Sequence, residues 1–210
     1  IVKYSCIIFS SYTDTISRNG NFNRWRNFLM KATGIVRRID DLGRVVIPKE
    51  IRRTLRIRES DPMEIFTDRE GQIILKKYSP IGELNTFAKE YTEALAQAAG
   101  CIACIADRDQ IIAAAGNGWK EYEQKMINRE LEEMISERKS ICATEKKEFV
   151  RIIEGDKMEY ASQVVWTITC AGDAVGAVIL LEKEGGRKFT DTEPKLTQAA
   201  AGFLGRQIEQ

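Results

Sequence analysis

The 210-residue sequence contains no histidine. That removes the one side chain that titrates near neutrality, and with it His-based general acid–base catalysis and the usual zinc finger. It has only four prolines and no run of about eighteen apolar residues, so no helix is expected to span a membrane and no membrane partner is expected. A secretory leader is not expected either. One lysine precedes the short apolar patch Cys6–Phe9, and no small-residue cleavage site follows it. Five cysteines without a leader fit free thiols in a reducing cytosol. Cys101-Ile102-Ala103-Cys104 has the spacing of a redox or metal pair. It lies, however, in an apolar run that reads as a buried strand, where residues three apart point to opposite faces. Both thiols are expected to pack as small hydrophobes, and Cys142 and Cys170 also sit among apolar neighbours. No catalytic residue, metal ligand or cofactor emerges from these residues.

What is present is an uneven distribution of charge. Residues 30–78 hold twelve Lys/Arg against eight Asp/Glu, a net of +4, whereas residues 79–210 hold sixteen against twenty-two, a net of −6. A basic head on an acidic body suits a protein that meets nucleic acid at one end only. Residues 1–29 carry a further +3, begin with Ile and are rich in Asn. The sequence reads as starting properly at Met30, with 1–29 an upstream or mis-started extension that is poorly ordered.

The head is organised around Gly43-Arg44-Val45-Val46-Ile47-Pro48-Lys49-Glu50-Ile51-Arg52-Arg53. Strands are expected at Gly34–Ile39, Arg44–Ile47, Met63–Thr67 and Gln72–Lys77. Asp40-Asp41-Leu42-Gly43 supplies one turn and Asp68-Arg69-Glu70-Gly71 the other. A short helix runs from Lys49 to Leu55, with Pro48 at its first position and Ile51 and Leu55 on one face. Four short strands in about fifty residues bury little surface, so the module is expected to fold as a dimer.

Met30 to Leu55, with Ile73-Ile74-Leu75-Lys76-Lys77-Tyr78 as a last strand, resembles the AbrB-type DNA-binding domain. Over Met30–Gln210 the chain is similar to the SpoVT family of sporulation regulators. The resemblance implies a swapped-hairpin β-barrel dimer on double-stranded DNA. Arg37, Arg44, Arg52 and Arg53 would carry the DNA contacts, with Arg38 and Lys31 as supporting charges. One departure is Ser60, where relatives usually have Gly before the Asp-Pro.

Residues 79–82 read as a linker, with Ser79 as N-cap and Pro80 opening a helix to about Ala99. Ile81, Leu84, Phe87, Ala88, Tyr91, Leu95 and Ala98 form one stripe, and Leu196, Ala199, Ala200, Phe203, Leu204 and Ile208 another. Part of each is expected to pair with another subunit as a helical bundle, giving a homotetramer. Between them, strands are expected at Cys101–Ala106, Ile111–Ala115, Glu148–Ile153, Tyr160–Thr169 and Ala174–Glu182, with a helix at Trp119–Glu137. The order is α+β with an antiparallel sheet. Residues 81–210 resemble a GAF domain, a ligand-sensing fold. By position, Ala115, Gly116, Trp119, Ile141, Val150, Val165 and Thr167 would line its pocket for an unidentified small molecule.

The resulting expectation is a cytoplasmic, forespore and nucleoid-associated transcription regulator, acting as activator or repressor, with a signal-modulated GAF-like domain and no enzymatic activity. The alternative is an antitoxin that uses the same swapped hairpin and binds a protein partner. A folded, periodic C-terminal half speaks against it, since antitoxins end in a flexible tail. The intact mass of protein from its native host is expected to correspond to a chain starting at Met30. A mass that includes the first 29 residues overturns that reading.

Overall fold

Two units account for the chain, Ile1–Tyr78 and Ser79–Gln210. The computed structural model describes residues 7–10, 33–67, 69 and 71–209, with backbone alone at 7–10, 83 and 85. Lys31 and most of the expected N-terminal extension lie outside the described residues.

In the first unit, β1 (Ile7–Ser10) lies parallel to β3 (Ile73–Lys77), and β2 (Met63–Thr67) lies antiparallel on the other side of β3. Helix α1 (Lys49–Thr54) precedes them. Pro48 caps this helix rather than opening it: its ψ of 148° is extended, while its carbonyl accepts the first intrahelical bond from Arg52. The strands expected at Gly34–Ile39 and Arg44–Ile47 do not form within the described residues, although the turn between them does. The reason is partnership. An isolated two-stranded hairpin is marginal in water, and Val36, Ile39 and Val46 on these arms and Leu42 in their turn are 66–83% exposed.

After α1 the chain turns back through Ser60, Asp61 and Pro62. The Asp61 carboxylate accepts the Arg58 N–H at 2.8 Å and pairs with Lys77 at 3.2 Å. Lys77 also donates to the Arg56 carbonyl, and the Tyr78 N–H to the Pro62 carbonyl. Ser60 sits at φ 65°, in the left-handed region that favours glycine.

The second unit opens with α2 (Pro80–Glu83), capped by the Ser79 side chain, and α3 (Asn85–Ala99), which ends on Gly100 at φ 64°. The expected linker is thus helical from Pro80, and the single helix expected to Ala99 breaks at Leu84. A five-stranded antiparallel sheet follows in the order β5-β4-β8-β7-β6. Its strands are β4 (Ile102–Ala106), β5 (Ile111–Ala115), β6 (Ile141–Ala143), β7 (Tyr160–Cys170) and β8 (Asp173–Lys183). Helices α4 (Arg129–Ser136) and α5 (Thr192–Ile208) complete the unit.

Alternation along the strands sorts side chains into two cores. Ala103, Ile105, Val164, Ile168, Val178 and Leu180 pack with α3 and α5. Ile102, Cys104, Val165, Ala177, Ile179 and Leu181 pack with Leu131, Met134 and Ile135 of α4.

Two expectations fail here. The helix expected over Trp119–Glu137 is a 3-10 turn at Trp119–Glu121 and then α4. Between them Gln124 takes φ 58°, and Met126 and Ile127 form bridges to Gln110 and Ile153. The strand expected at Glu148–Ile153 is a loop, because side chains and other loops take its backbone groups. Gln163 accepts the Val150 N–H and donates to the Val150 carbonyl. The Arg151 N–H goes to Glu130 and the Ile152 N–H to Asp156.

Replacing Ser60 by Gly relieves a left-handed conformation costing about 1–2 kcal/mol, offset in part by the greater freedom of glycine in the unfolded chain. The first unit is therefore expected to gain about 0.5–1 kcal/mol, read by denaturant unfolding. A loss of stability would show that the serine side chain holds the turn.

Candidate nucleic-acid interface and ligand cleft

The turn Asp40–Arg44 is closed by its own backbone: the Asp40 N–H donates to the Arg44 carbonyl and the Gly43 N–H to the Asp40 carbonyl, both at 3.0 Å. Gly43 takes φ 77°, which a side chain would strain. The Asp40 carboxylate organises the rest. Its Oδ1 accepts the Leu42 and Arg44 N–H groups, and its Oδ2 pairs with Arg44 Nε at 2.8 Å. The Arg44 backbone and guanidinium hold the Asp40 carboxyl below its ordinary range. Arg44 is thereby aimed from a fixed turn while its side chain stays 69% exposed. Sequence reasoning treated Asp40 as turn chemistry alone. The signal for its second role was Asp-x-x-Gly followed at once by Arg.

Arg37, Arg38, Arg52 and Arg53 are all exposed. Arg52 and Arg53 lie in the last turn of α1, where the helix dipole favours cations, and Glu50 lies in the first. Among the described residues no ion pair joins Glu50 to Arg53, so the simplest structural account of that arginine finds no support. Two groups of arginines thus sit on the turn with its arms and on α1.

In the second unit the seven expected pocket residues do not converge. Ala115 and Gly116 line a cleft of about 480 Å³ with Glu93, Gln97, Asn117 and Lys183. Trp119, Ile141, Val150 and Val165 instead belong to the core beneath α4. Thr167 donates its hydroxyl to the Lys139 carbonyl at 2.6 Å. That face of the sheet is filled by large side chains. Tyr160, stacked edge-on to Phe149, donates to Asp156, and Tyr122 donates to Tyr160. The cleft opens where side chains are small. Gly116, at φ 99°, lies so close to the Cys101 carbonyl that a Cβ would stand 2.4 Å from it.

The Cys101 and Cys104 thiols are not poised for chemistry. Cys101 and Cys104 are buried in the two separate cores, and burial pushes the Cys101 thiol up to about 12 and Cys104 up as well. Cys142, on the edge strand β6, is exposed. No group of metal-ligating side chains and no helix long and apolar enough to cross a membrane occurs among the described residues.

Comparison with known proteins bears on both units. Residues 83–209 match the family described as "Stage V sporulation protein T C-terminal, transcription factor", and residues 36–83 match "Antidote-toxin recognition MazE, bacterial antitoxin". Stage V sporulation protein T of Bacillus subtilis is 52% identical over 181 residues, which is 86% of this chain and all of that one. The transition state regulatory protein AbrB of B. subtilis is 67% identical over 51 residues, 24% of this chain and 52% of AbrB. The GAF domain of Thermosynechococcus elongatus PixJ superposes with a TM-score of 0.50 at 11% identity, covering 63% of this chain and 89% of that one. A second structure of the cyanobacteriochrome receptor PixJ gives 0.51 at 11%, covering 63% and 99%.

Fold and relatives together define an AbrB-like transcription regulator with a GAF-like C-terminal domain. More particularly, the chain belongs to the SpoVT family, the stage V sporulation protein T regulators.

Proposed function

We propose that the first unit binds double-stranded DNA as a swapped-hairpin dimer, with Arg37, Arg38, Arg44, Arg52 and Arg53, supported by Lys31, contacting phosphates and base edges. The observation that carries this reading is the Asp40-organised turn. It fixes the aim of Arg44, two further exposed arginines stand on α1, and arginine is the side chain whose planar fork suits phosphate and guanine. The apolar arms bearing Val36, Ile39, Leu42 and Val46 need a covering surface, which a second copy supplies. Dimer symmetry then requires two half-sites in the DNA.

In the second unit, Phe87, Tyr91 and Phe203 stack on one another across α3 and α5, with Phe203 still 41% exposed. That aromatic seam supports a further pairing of copies, and hence a tetramer. The cellular setting we infer is the cytoplasm of the developing forespore, at the nucleoid. The match of residues 36–83 to an antitoxin family gives the competing reading a specific footing. Against it, the rest of the chain is a folded domain with two buried cores.

Arg44→Ala and Arg53→Ala are each expected to weaken binding to a promoter-length duplex by about 1–3 kcal/mol. Where the lost contact is to phosphate, the slope of log affinity against log salt falls by about one. Melting behaviour should be unchanged. Unaltered binding in both variants removes these arginines from the interface and moves the antitoxin reading forward.

The GAF-like unit is read as a sensor whose small polar ligand enters the cleft under the C-terminus of α3, since the α4 face is already filled. Linkage requires that the ligand favour one arrangement of the heads over another. A thermal-shift screen of amino acids and other small polar metabolites on the full chain checks this. Hits should shift the wild type and not a Gln97→Trp variant, in which the cleft is obstructed. Hits that shift both place the site elsewhere.

A further inference from the structure

We propose that the cleft of the second unit is built for a small organic cation, an ammonium group on a short alkyl stem. The inference rests on the sensor reading above and deepens it by naming the chemical class that the cleft admits. It is carried by an open space of defined lining, in which the carboxylates stand without partners while the cations beside them have theirs.

The cleft, of about 480 Å³, lies at the end of the sheet where β4 begins and β5 and β8 end, beside the last turns of α3. The buried residues that line it, Ala96, Ile102, Ala115 and Leu181, are apolar. Its charged lining is Glu93 of α3 with Glu182 and Lys183 of β8. Among the described residues, neither the Glu93 nor the Glu182 carboxylate takes part in an ion pair or a side-chain hydrogen bond. The cations differ. Lys183 pairs with Glu121 at 3.4 Å, and its Nζ rests against Gly118, where a Cβ would stand 2.4 Å away. Arg187, on the loop after β8, pairs with the buried Glu193 carboxylate and donates to the Ala99 carbonyl, both at 2.7 Å.

Glu182 is the better placed of the two carboxylates. It is half-buried, and a Cβ on Gly186 would stand 2.4 Å from its Oε1. Gly186 is not left-handed, so the space left by its missing side chain is space that the carboxylate uses. The helix adds to the same field. Its C-terminal carbonyls carry partial negative charge, the last turn of α3 holds no basic residue, and Arg187 meets it at Ala99.

A ligand that fills the cleft strips water from these carboxylates. An anion is repelled, and a neutral molecule leaves the charges desolvated and unpaired, which is costly. An ammonium ion compensates them while its stem covers the apolar lining. A bare metal ion is a poor match, since the space is far larger than an ion needs and no group of metal-ligating side chains occurs among the described residues.

Calorimetric titration of the full chain with n-butylamine, n-butanol and butyrate, matched in stem and different in charge, tests the assignment. Butylamine should bind about tenfold or more tighter than butanol, and butyrate should give no binding. Glu182→Gln should weaken butylamine about tenfold and leave the melting of the second unit unchanged. Gln97→Trp should block it. Glu148→Gln, which removes an exposed carboxylate outside the cleft, should change nothing. Butylamine binding no tighter than butanol overturns the proposal. So does an equal loss in Glu148→Gln and Glu182→Gln, which reduces the effect to the general attraction of an acidic surface. Should Glu182→Gln fail to fold, the ranking of the three probes on the wild type still decides. The sensor reading fails separately. It stands if an anionic or neutral compound from the screen above is blocked by Gln97→Trp, and it falls only when no compound of any charge binds there.

Discussion

The β7–β8 hairpin is the constraint on which the second unit depends. Its two eleven-residue strands lie inside the sheet and are covered on both faces. Val164, Val165, Val178, Ile179, Leu180 and Leu181 have no exposed surface. Each such side chain is worth about 1.5–3 kcal/mol relative to solvent, and the two faces feed different cores. Most of the unit docks onto this pair: β4 and β6 lie along its edges, α5 packs on one face and α4 on the other, while β5 and α3 are joined to it through β4. The approach is close enough that two positions exclude side chains. A Cβ at Gly176 would stand 2.1 Å from the Ala106 carbonyl, and one at Gly205 would stand 2.2 Å from the Thr169 carbonyl. Glycine at these points is a packing requirement, since at neither is the backbone left-handed.

Where the code is local, the sequence was readable. Apolar runs marked β4, β5, β7 and β8 to within a residue or so, because buried strands leave a nearly unbroken apolar signature. The N-cap at Ser79 and the turn residues Asp107–Gln110 were legible for the same reason. The stretch from Trp119 to Ile153 was not. Its apolar residues have helical spacing, but Gln124 leaves the helical region and Met126 and Ile127 are drawn into bridges with distant residues. Glu148–Ile153 has the composition of a strand and no ladder, since Gln163, Glu130, Asp156 and Asn128 satisfy its backbone. The side chains of Gln163, Glu130 and Asp156 and the backbone of Asn128 took over a role that propensity assigns to a neighbouring strand. No window-based reading detects that.

The head shows the complementary limit. Its charged residues were identifiable by type and position, and the arginines on the turn and on α1 are exposed as expected. The arms that carry them have strand-like sequence without strand pairing. Among the described residues nothing covers their apolar side chains. The expected pocket residues divide between two places, Ala115 and Gly116 at the cleft and the others elsewhere. The expectation followed position in a familiar fold, but Tyr122, Phe149 and Tyr160 fill that face, and open space occurs where Ala96, Gly100, Ala115 and Gly116 are small.

Those exposed arms tie the head to mass action. Val36, Ile39, Leu42 and Val46 standing in water forgo a stabilisation of several kcal/mol. Any surface that covers them, a second copy included, returns it in proportion to the logarithm of its concentration. If a second copy is that cover, the head has no single stability of its own, and its folded fraction follows the concentration of the chain. Expression level then sets not only how many heads exist but what fraction of them are shaped to act. The response to a change in synthesis is steeper than linear, even before any ligand or operator is considered.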